Sequence, residues 1–426
     1  MKKAFNLTLA LITLIAAYSC HDKVEESWEV NSPVYMSYED LRNAFKVAEG
    51  QEIKQSGKLY FKDNFIFVNE YQKGIHVIDN EDPANPKIIK FLEIPGNVDL
   101  AIAGNILYAD SYVDLLSIDI SDINNIVIVD RDTNVFPYII PEFETGFLET
   151  VDESNGVIVG YEVTVHTEKV DLNNQQYQYY PIWEVDFALE SGMNAPRTTG
   201  GDQSFGTGGS MARFTLADNY LYTVDAASLR LFNISNLTNP VEQKTIPISW
   251  NIETIFPYEQ MLFIGSQTGM YIYSIQDPSQ PEFISQFRHA QACDPVVVDG
   301  DYAYVTLRGG NLCGATESEL DVIDISTIEN PKLVASYPME EPYGLGIDND
   351  VLFVCDGKAG LKIYDAADPL NIDTTLAHYD NINAFDVIPL GEVLLMIGID
   401  GLYQYDYSNI KNITQLSHIP VYGKSE

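Results

Sequence analysis

The stretch HAQACDPVVVDG (residues 289 to 300), followed by VTLRGGNLCG (305 to 314), gathers an imidazole, two thiols, a carboxylate and a guanidinium: His289, Cys293, Asp294, Arg308 and Cys313. Cys293 and Cys313 can close a disulfide if the strands that carry them are neighbours. With His289 they would supply three ligands of a zinc site, but such a site wants a fourth at suitable spacing, and none is evident. Two free thiols are the remaining alternative. The disulfide is the expected state, with Cys355, in the apolar run VLFVC, as the buried single thiol. No metal and no cofactor are expected.

A second set is dispersed. Lys58, Asp99, Arg213, Glu253, Asp294, Tyr343 and Asp386 recur at comparable points of the chain, and Trp250 sits in the link ISWNIET. A mixed set of this kind could bind a ligand or hold a metal through its carboxylates; it could equally cap strand ends and satisfy itself. Trp250 either wedges between units or offers an exposed face for stacking on a sugar or peptide. The six histidines show no paired spacing, and neither a GxSxG elbow nor an HExxH helix is present. The expected function is therefore a non-catalytic binding or scaffolding module, with a hydrolase or lyase acting on an extracellular polysaccharide or peptide as the alternative.

Whether these residues meet depends on the elements beneath them. An acid or its stand-in ends an apolar run at Asp79, Asp119, Asn233, Ser274, Asp324, Asp365 and Asp406, as in VIDISTIENP and VIDNEDPANP. The spacings are 40, 114, 41, 50, 41 and 41 residues, a period that marks repeat architecture. The long gap equals two periods and 32 further residues, which predicts eight units, the third of them, near residue 145, without an anchor. Within a unit, β-rich runs meet at KDN, AGN, ADN, DGD and DND, the Asn, Asp and Gly turns that a tight hairpin demands. Four antiparallel strands per unit predict an all-β fold, a β-propeller with eight blades, or seven if the third unit stays out. Helical periodicity is confined to YEDLRNAF in the lead-in. In such a ring the starts of the innermost strands and the ends of their neighbours share one rim of the central channel. That rim is the expected binding face, carrying Trp250, Glu253, His289, Asp294, Arg308, Arg213, Tyr343 and Asp386.

The phrases GIHVIDNEDPANP, LLSIDISD, ELDVIDISTIENP and GLKIYDAADP resemble the LVIVD-repeat proteins, a β-propeller family found among bacterial lipoproteins. The resemblance covers roughly residues 55 to 420; it implies the fold and no established reaction.

The amino terminus suits that setting. MKKAFNLTLALITLIAAYSC is a basic start, an apolar stretch and a small residue before Cys20, a secretory signal too short to span as a helix. Residues 17 to 19 resemble a relaxed lipobox, which makes 1–19 the signal peptide, Cys20 the lipidated residue, 20–50 a tether and lead-in, and 51–426 one propeller domain with an insertion at about 172–209. The HDKVEES that follows resembles the export signals of surface lipoproteins in the Bacteroidetes. An outer-membrane lipoprotein, held by its lipid and facing outward, is expected, with the periplasmic side as the alternative. A net charge of -38 repels phosphate backbones, so no nucleic acid is expected; a glycan, a peptide or an envelope protein is the expected partner. The insertion holds QQYQYYPIW and TTGGDQSFGTGGS. Its glycines lack the GK[ST] of a phosphate loop and read as a flexible loop, with the aromatics as a lid on the rim.

Overall fold

The computed structural model describes residues 23–143, 145–171, 205–288, 295–309, 318–372 and 374–422. The chain divides into two compact units, residues 1–38 with 139–186, and residues 39–138 with 187–426. The described part of the first is a three-stranded sheet. Lys23–Met36 lies at its centre, antiparallel to Val157–Asp171 in a register that runs from Lys23 opposite Asp171 to Met36 opposite Val157. Phe147–Leu148 adds a short parallel strand to the other edge. Residues assigned from sequence to the tether and to the third repeat thus pair with each other.

The second unit is the propeller. Among the described residues it contains six four-stranded sheets and one of six strands, which with the three-stranded sheet makes eight sheets in all. The innermost strands of the seven blades are Leu59–Lys62, Leu100–Ala103, Phe214–Ala217, Ile252–Tyr258, Val296–Asp299, Leu345–Asp348 and Ala384–Pro389. Among the described residues the ring has seven blades, the smaller of the two sizes expected, and the described part of the third repeat pairs in the three-stranded sheet instead. The first blade is widened on both edges, by Lys46–Glu49 outside and Thr207–Gly208 inside.

Local sequence explains each blade. The turn after every innermost strand uses a left-handed residue: Asp63, Gly104, Asp218, Glu259, Gly300, Asn349 with Asp350, and Gly391, at φ between 48° and 84°. Gly, Asn and Asp tolerate that region best, and it matches the twist of a tight hairpin. The second and third strands are covered on both faces, as in Phe65–Glu70 and Asp114–Asp119, and accordingly read as continuous apolar runs. The outer strand, as in Val241–Pro247, is largely exposed and polar.

The seven anchors end the third strands. The side-chain oxygen of Asp79, Asp119, Asn233, Ser274, Asp324, Asp365 and Asp406 accepts the backbone N–H two residues on, at 2.8–3.3 Å. The turn so shaped latches neighbouring blades. Tyr108 donates to the carbonyl of Leu237 at 2.8 Å, Tyr222 to that of Pro278 at 2.7 Å, Ser285 to that of Ile328 at 2.5 Å and Tyr379 to that of Ile413 at 2.9 Å. The Ile372 amide donates to Tyr337 Oη at 3.0 Å, and Ser417 donates to the Pro83 carbonyl at 2.7 Å, joining the last blade to the first. The same seam carries Gln404 Nε2 to Asn80 Oδ1 at 2.7 Å, a parallel bridge between Ile53 and Val421, and an apolar cluster in which Leu59 and Ile66 meet Leu395 and Ile397.

Candidate functional site

Residues 205 to 209 enter the channel in extended form and turn at Ser210 and Met211. Thr207–Gly208 pairs with Tyr60 and Phe61, Phe205 bridges to Ala103, and the Gly209 amide donates to the Leu59 carbonyl at 3.0 Å. The glycine tract expected to be a flexible loop is therefore, from Phe205 onward, an added inner strand. Its glycines serve close approach: a Cβ on Gly206 would lie 2.2 Å from the Tyr60 ring.

At the mouth where the innermost strands begin, the turn after this strand delivers backbone groups to two buried charge clusters. Lys58 is 4% exposed and donates to Asp99 Oδ2 at 2.7 Å and to the Met211 carbonyl at 3.2 Å. Asp99 also accepts the amides of Arg213, of Phe214 at 3.2 Å and of Leu100 at 2.7 Å. Burial lowers the Lys58 pKa, opposed by the Asp99 carboxylate. Behind them Asp110 accepts the amides of Val98 and Asp99 at 2.8 and 2.9 Å, yet burial still pushes its carboxyl up to about 6.

Asp386, 1% exposed, meets Ser210 Oγ at 3.1 Å through Oδ1, while its Oδ2 has no hydrogen-bond partner among the described residues. Ser210 Oγ in turn accepts the Leu345 amide at 2.9 Å. Burial drives the Asp386 pKa well above the usual carboxylate range and favours the neutral acid.

Across the mouth, Arg308 follows the strand Tyr302–Leu307 and is itself buried, with its guanidinium 3.9 Å above the Tyr343 ring. Burial lowers its pKa; Tyr343 and Glu341 act in the opposite sense. Thr306 donates to the Tyr343 carbonyl at 2.6 Å and the Phe385 ring packs 4.9 Å from the Tyr343 ring, so the platform under Arg308 is held on two sides. In the fourth blade Gln267 bridges Asn251 Nδ2 at 2.7 Å and Glu253 Oε1 at 3.2 Å. Trp250, one residue before Asn251, is 83% exposed, so its indole is an open face and not a wedge between blades.

The structure thus brings together Lys58, Asp99 and Arg213 as one group, and Arg308 and Tyr343 as another. Asp386 is held apart with Ser210, and Glu253 with Gln267. His289, Asp294, Cys293, Cys313, Cys20 and the insertion from 172 to 204 lie outside the described residues. Cys355 is a buried free thiol. Sequence reasoning passed over Ser210, Met211 and Asp110. Asp110 had a signal, the acid ending an apolar second strand; Ser210 had none beyond adjacency to glycines.

Two stretches of the chain, residues 208–246 and 290–338, match the LVIVD repeat. No curated protein matches the chain. Among solved structures, the periplasmic gluconolactonase PpgL of Pseudomonas aeruginosa is 11% identical, with 86% of this chain and 98% of that chain covered at a TM-score of 0.51. BamB of Moraxella catarrhalis is 7% identical over 90% of this chain and 96% of its own, with a TM-score of 0.46. At such identity the likeness concerns fold alone. The chain is an all-β propeller, two stretches of which match the LVIVD repeat.

Proposed function

We propose that this protein is a non-catalytic, lipid-anchored binding module of the cell envelope, whose ligand or partner engages the mouth bearing Trp250, Glu253, Arg213, Arg308 and Tyr343. The carrying observation is the indole of Trp250, 83% exposed on a link otherwise tied down by hydrogen bonds. A flat apolar face held on a rigid scaffold suits stacking on a sugar or peptide. The charged groups at the same mouth support binding over catalysis, because Lys58 and Asp99 neutralise each other and Asp386 is buried. Cys20, behind a short apolar stretch, supports the anchor.

Two measurements test the reading. Cys20→Ser should release the protein from the membrane fraction of expressing cells; a variant that still sediments with membranes would overturn the anchor. On immobilised glycans and peptides, Trp250→Ala and Arg308→Ala should each weaken capture about tenfold, roughly 1.4 kcal/mol. Trp250→Ala should leave the melting temperature unchanged, because an exposed indole stabilises little. Unaltered capture by both folded variants, or turnover of a captured polymer by the parent, would end the proposal.

A further inference from the structure

The opposite mouth, where the innermost strands run into their hairpin turns, holds a cavity of about 490 Å³. That lies within the ~300–1,000 Å³ usual for small-molecule sites. The inserted strand explains its placement. By pairing with the first blade and bridging to Ala103 it fills one side of the channel, and the cavity opens toward the fourth to seventh blades.

Its lining combines two chemistries. Phe61, Phe205 and Tyr258 supply aromatic surface, with Phe256 buried behind them, and Asp299 and Asp348 supply carboxylates from adjacent blades. Tyr258 is fixed by accepting the Gly300 amide at 2.8 Å, and Asp348 accepts the Tyr407 hydroxyl at 2.6 Å. Lys62 also borders the space, but its ammonium is bonded to Asp63 at 2.5 Å, so this pair adds no net charge. The remaining lining is therefore anionic. Partial burial, then Asp350 and Asp348, raise the Asp299 pKa, a repulsion that an entering cation would relieve. Among the described residues no three His, Cys, Asp or Glu side chains are placed to ligate a metal ion directly. Aromatic surface with a carboxylate border is instead the chemistry that takes up alkylated ammonium groups, through ring quadrupoles and charge together.

We propose that this cavity binds a small organic cation, an alkylammonium or quaternary ammonium group, between the aromatic side chains and the carboxylates of Asp299 and Asp348. The site is separate from the Trp250 mouth and stands or falls independently of it. Titration calorimetry on the intact protein should compare choline, its neutral carbon isostere 3,3-dimethylbutan-1-ol, and N-acetyl-lysine methylamide. Choline or the lysine derivative should bind with a Kd of about 1 mM or tighter, and the neutral isostere at least tenfold more weakly. The tighter of the two cations tells whether a free ammonium compound or a protein side chain is the preferred source. Asp299→Asn should reduce the affinity about tenfold and melt as the parent does, because it changes charge at an exposed turn. Trp250→Ala should bind the cation unchanged. If neither cation binds at 20-fold above that Kd, if the isostere binds as well as choline, or if folded Asp299→Asn binds like the parent, the proposal is overturned.

Discussion

Asp99 and Asp386 stand at the same mouth, both almost fully buried, in opposite surroundings. Asp99 faces an ammonium and three backbone amides, so its carboxylate is paired. Asp386 meets the Ser210 hydroxyl and amide through Oδ1 and no cation, and burial outweighs these bonds and favours the neutral acid. The two should respond differently to loss of charge. Asp99→Asn strands the Lys58 ammonium and should cost about 3–5 kcal/mol, whereas Asp386→Asn keeps shape and neutrality and should change stability by less than about 1 kcal/mol near the pH where the acid is neutral. The pH dependence follows in sign. A carboxyl whose folded pKa is raised holds its proton longer when folded, so its contribution is fully present below the unfolded value of ~3.9 and is lost as pH rises through the folded value. Asp386→Asn should abolish that decline, making the variant the more stable form above it. Urea unfolding of parent and both variants from pH 4 to 9 checks this; equal losses for the two substitutions at every pH would refute the assignment. Strand-start position was enough to find both acids in the sequence. Their surroundings were not legible, because these depend on Lys58, Ser210 and the Met211 carbonyl, which reach the same few ångströms from distant parts of the chain.

At the scale of elements, the recurrent acid was the most informative sequence feature. An Asp, Asn or Ser that ends an apolar run can cap the turn through its own side chain, and all seven do so. What the turn is for emerges only between blades, where its residues hydrogen-bond to Tyr108, Tyr222, Ser285, Tyr337, Tyr379 and Ser417 of the preceding blade. Each of those partners lies in another repeat, beyond any local pattern. Hairpin turns were legible for the same reason as the anchors, because a left-handed φ restricts residue type locally. The strand at Thr207–Gly208 was not. Glycine permits both a flexible loop and an approach too close for a side chain, and only the Tyr60 ring against Gly206 decides between them. Trp250 posed the same difficulty: an indole in a link is equally compatible with burial and with display.

For the whole molecule, spacing counts units but does not say which of them join the ring. The 114 residues between Asp119 and Asn233 hold enough chain for another repeat, yet Tyr108 of the second blade reaches the Leu237 turn directly, so the blade that begins at Phe214 is its neighbour. Ser417 and Gln404 then return to the Pro83 and Asn80 turn, closing seven. A closed ring has no capping unit, so every blade is covered by two others. The sixth illustrates what this implies. Its Leu345, Leu352 and Val354 pack with Val296, Val305 and Leu320 of the fifth blade, while its Phe353, Leu361 and Ile363 pack with Val387, Leu394 and Met396 of the seventh. Removing residues 341 to 381 uncovers both flanking faces at once. At roughly 1.5–3 kcal/mol for each apolar side chain returned to water, six such residues exceed most of the 5–15 kcal/mol by which a domain is stable. A linear array would lose one interface and keep folding from the remaining repeats. The deletion variant should therefore be insoluble or melt without a cooperative transition, as followed by calorimetry and far-ultraviolet circular dichroism. A soluble product with a sharp transition near that of the parent would mean that the blades can stand in an open row, and that the seam at Ser417 and Gln404 is not required for the fold.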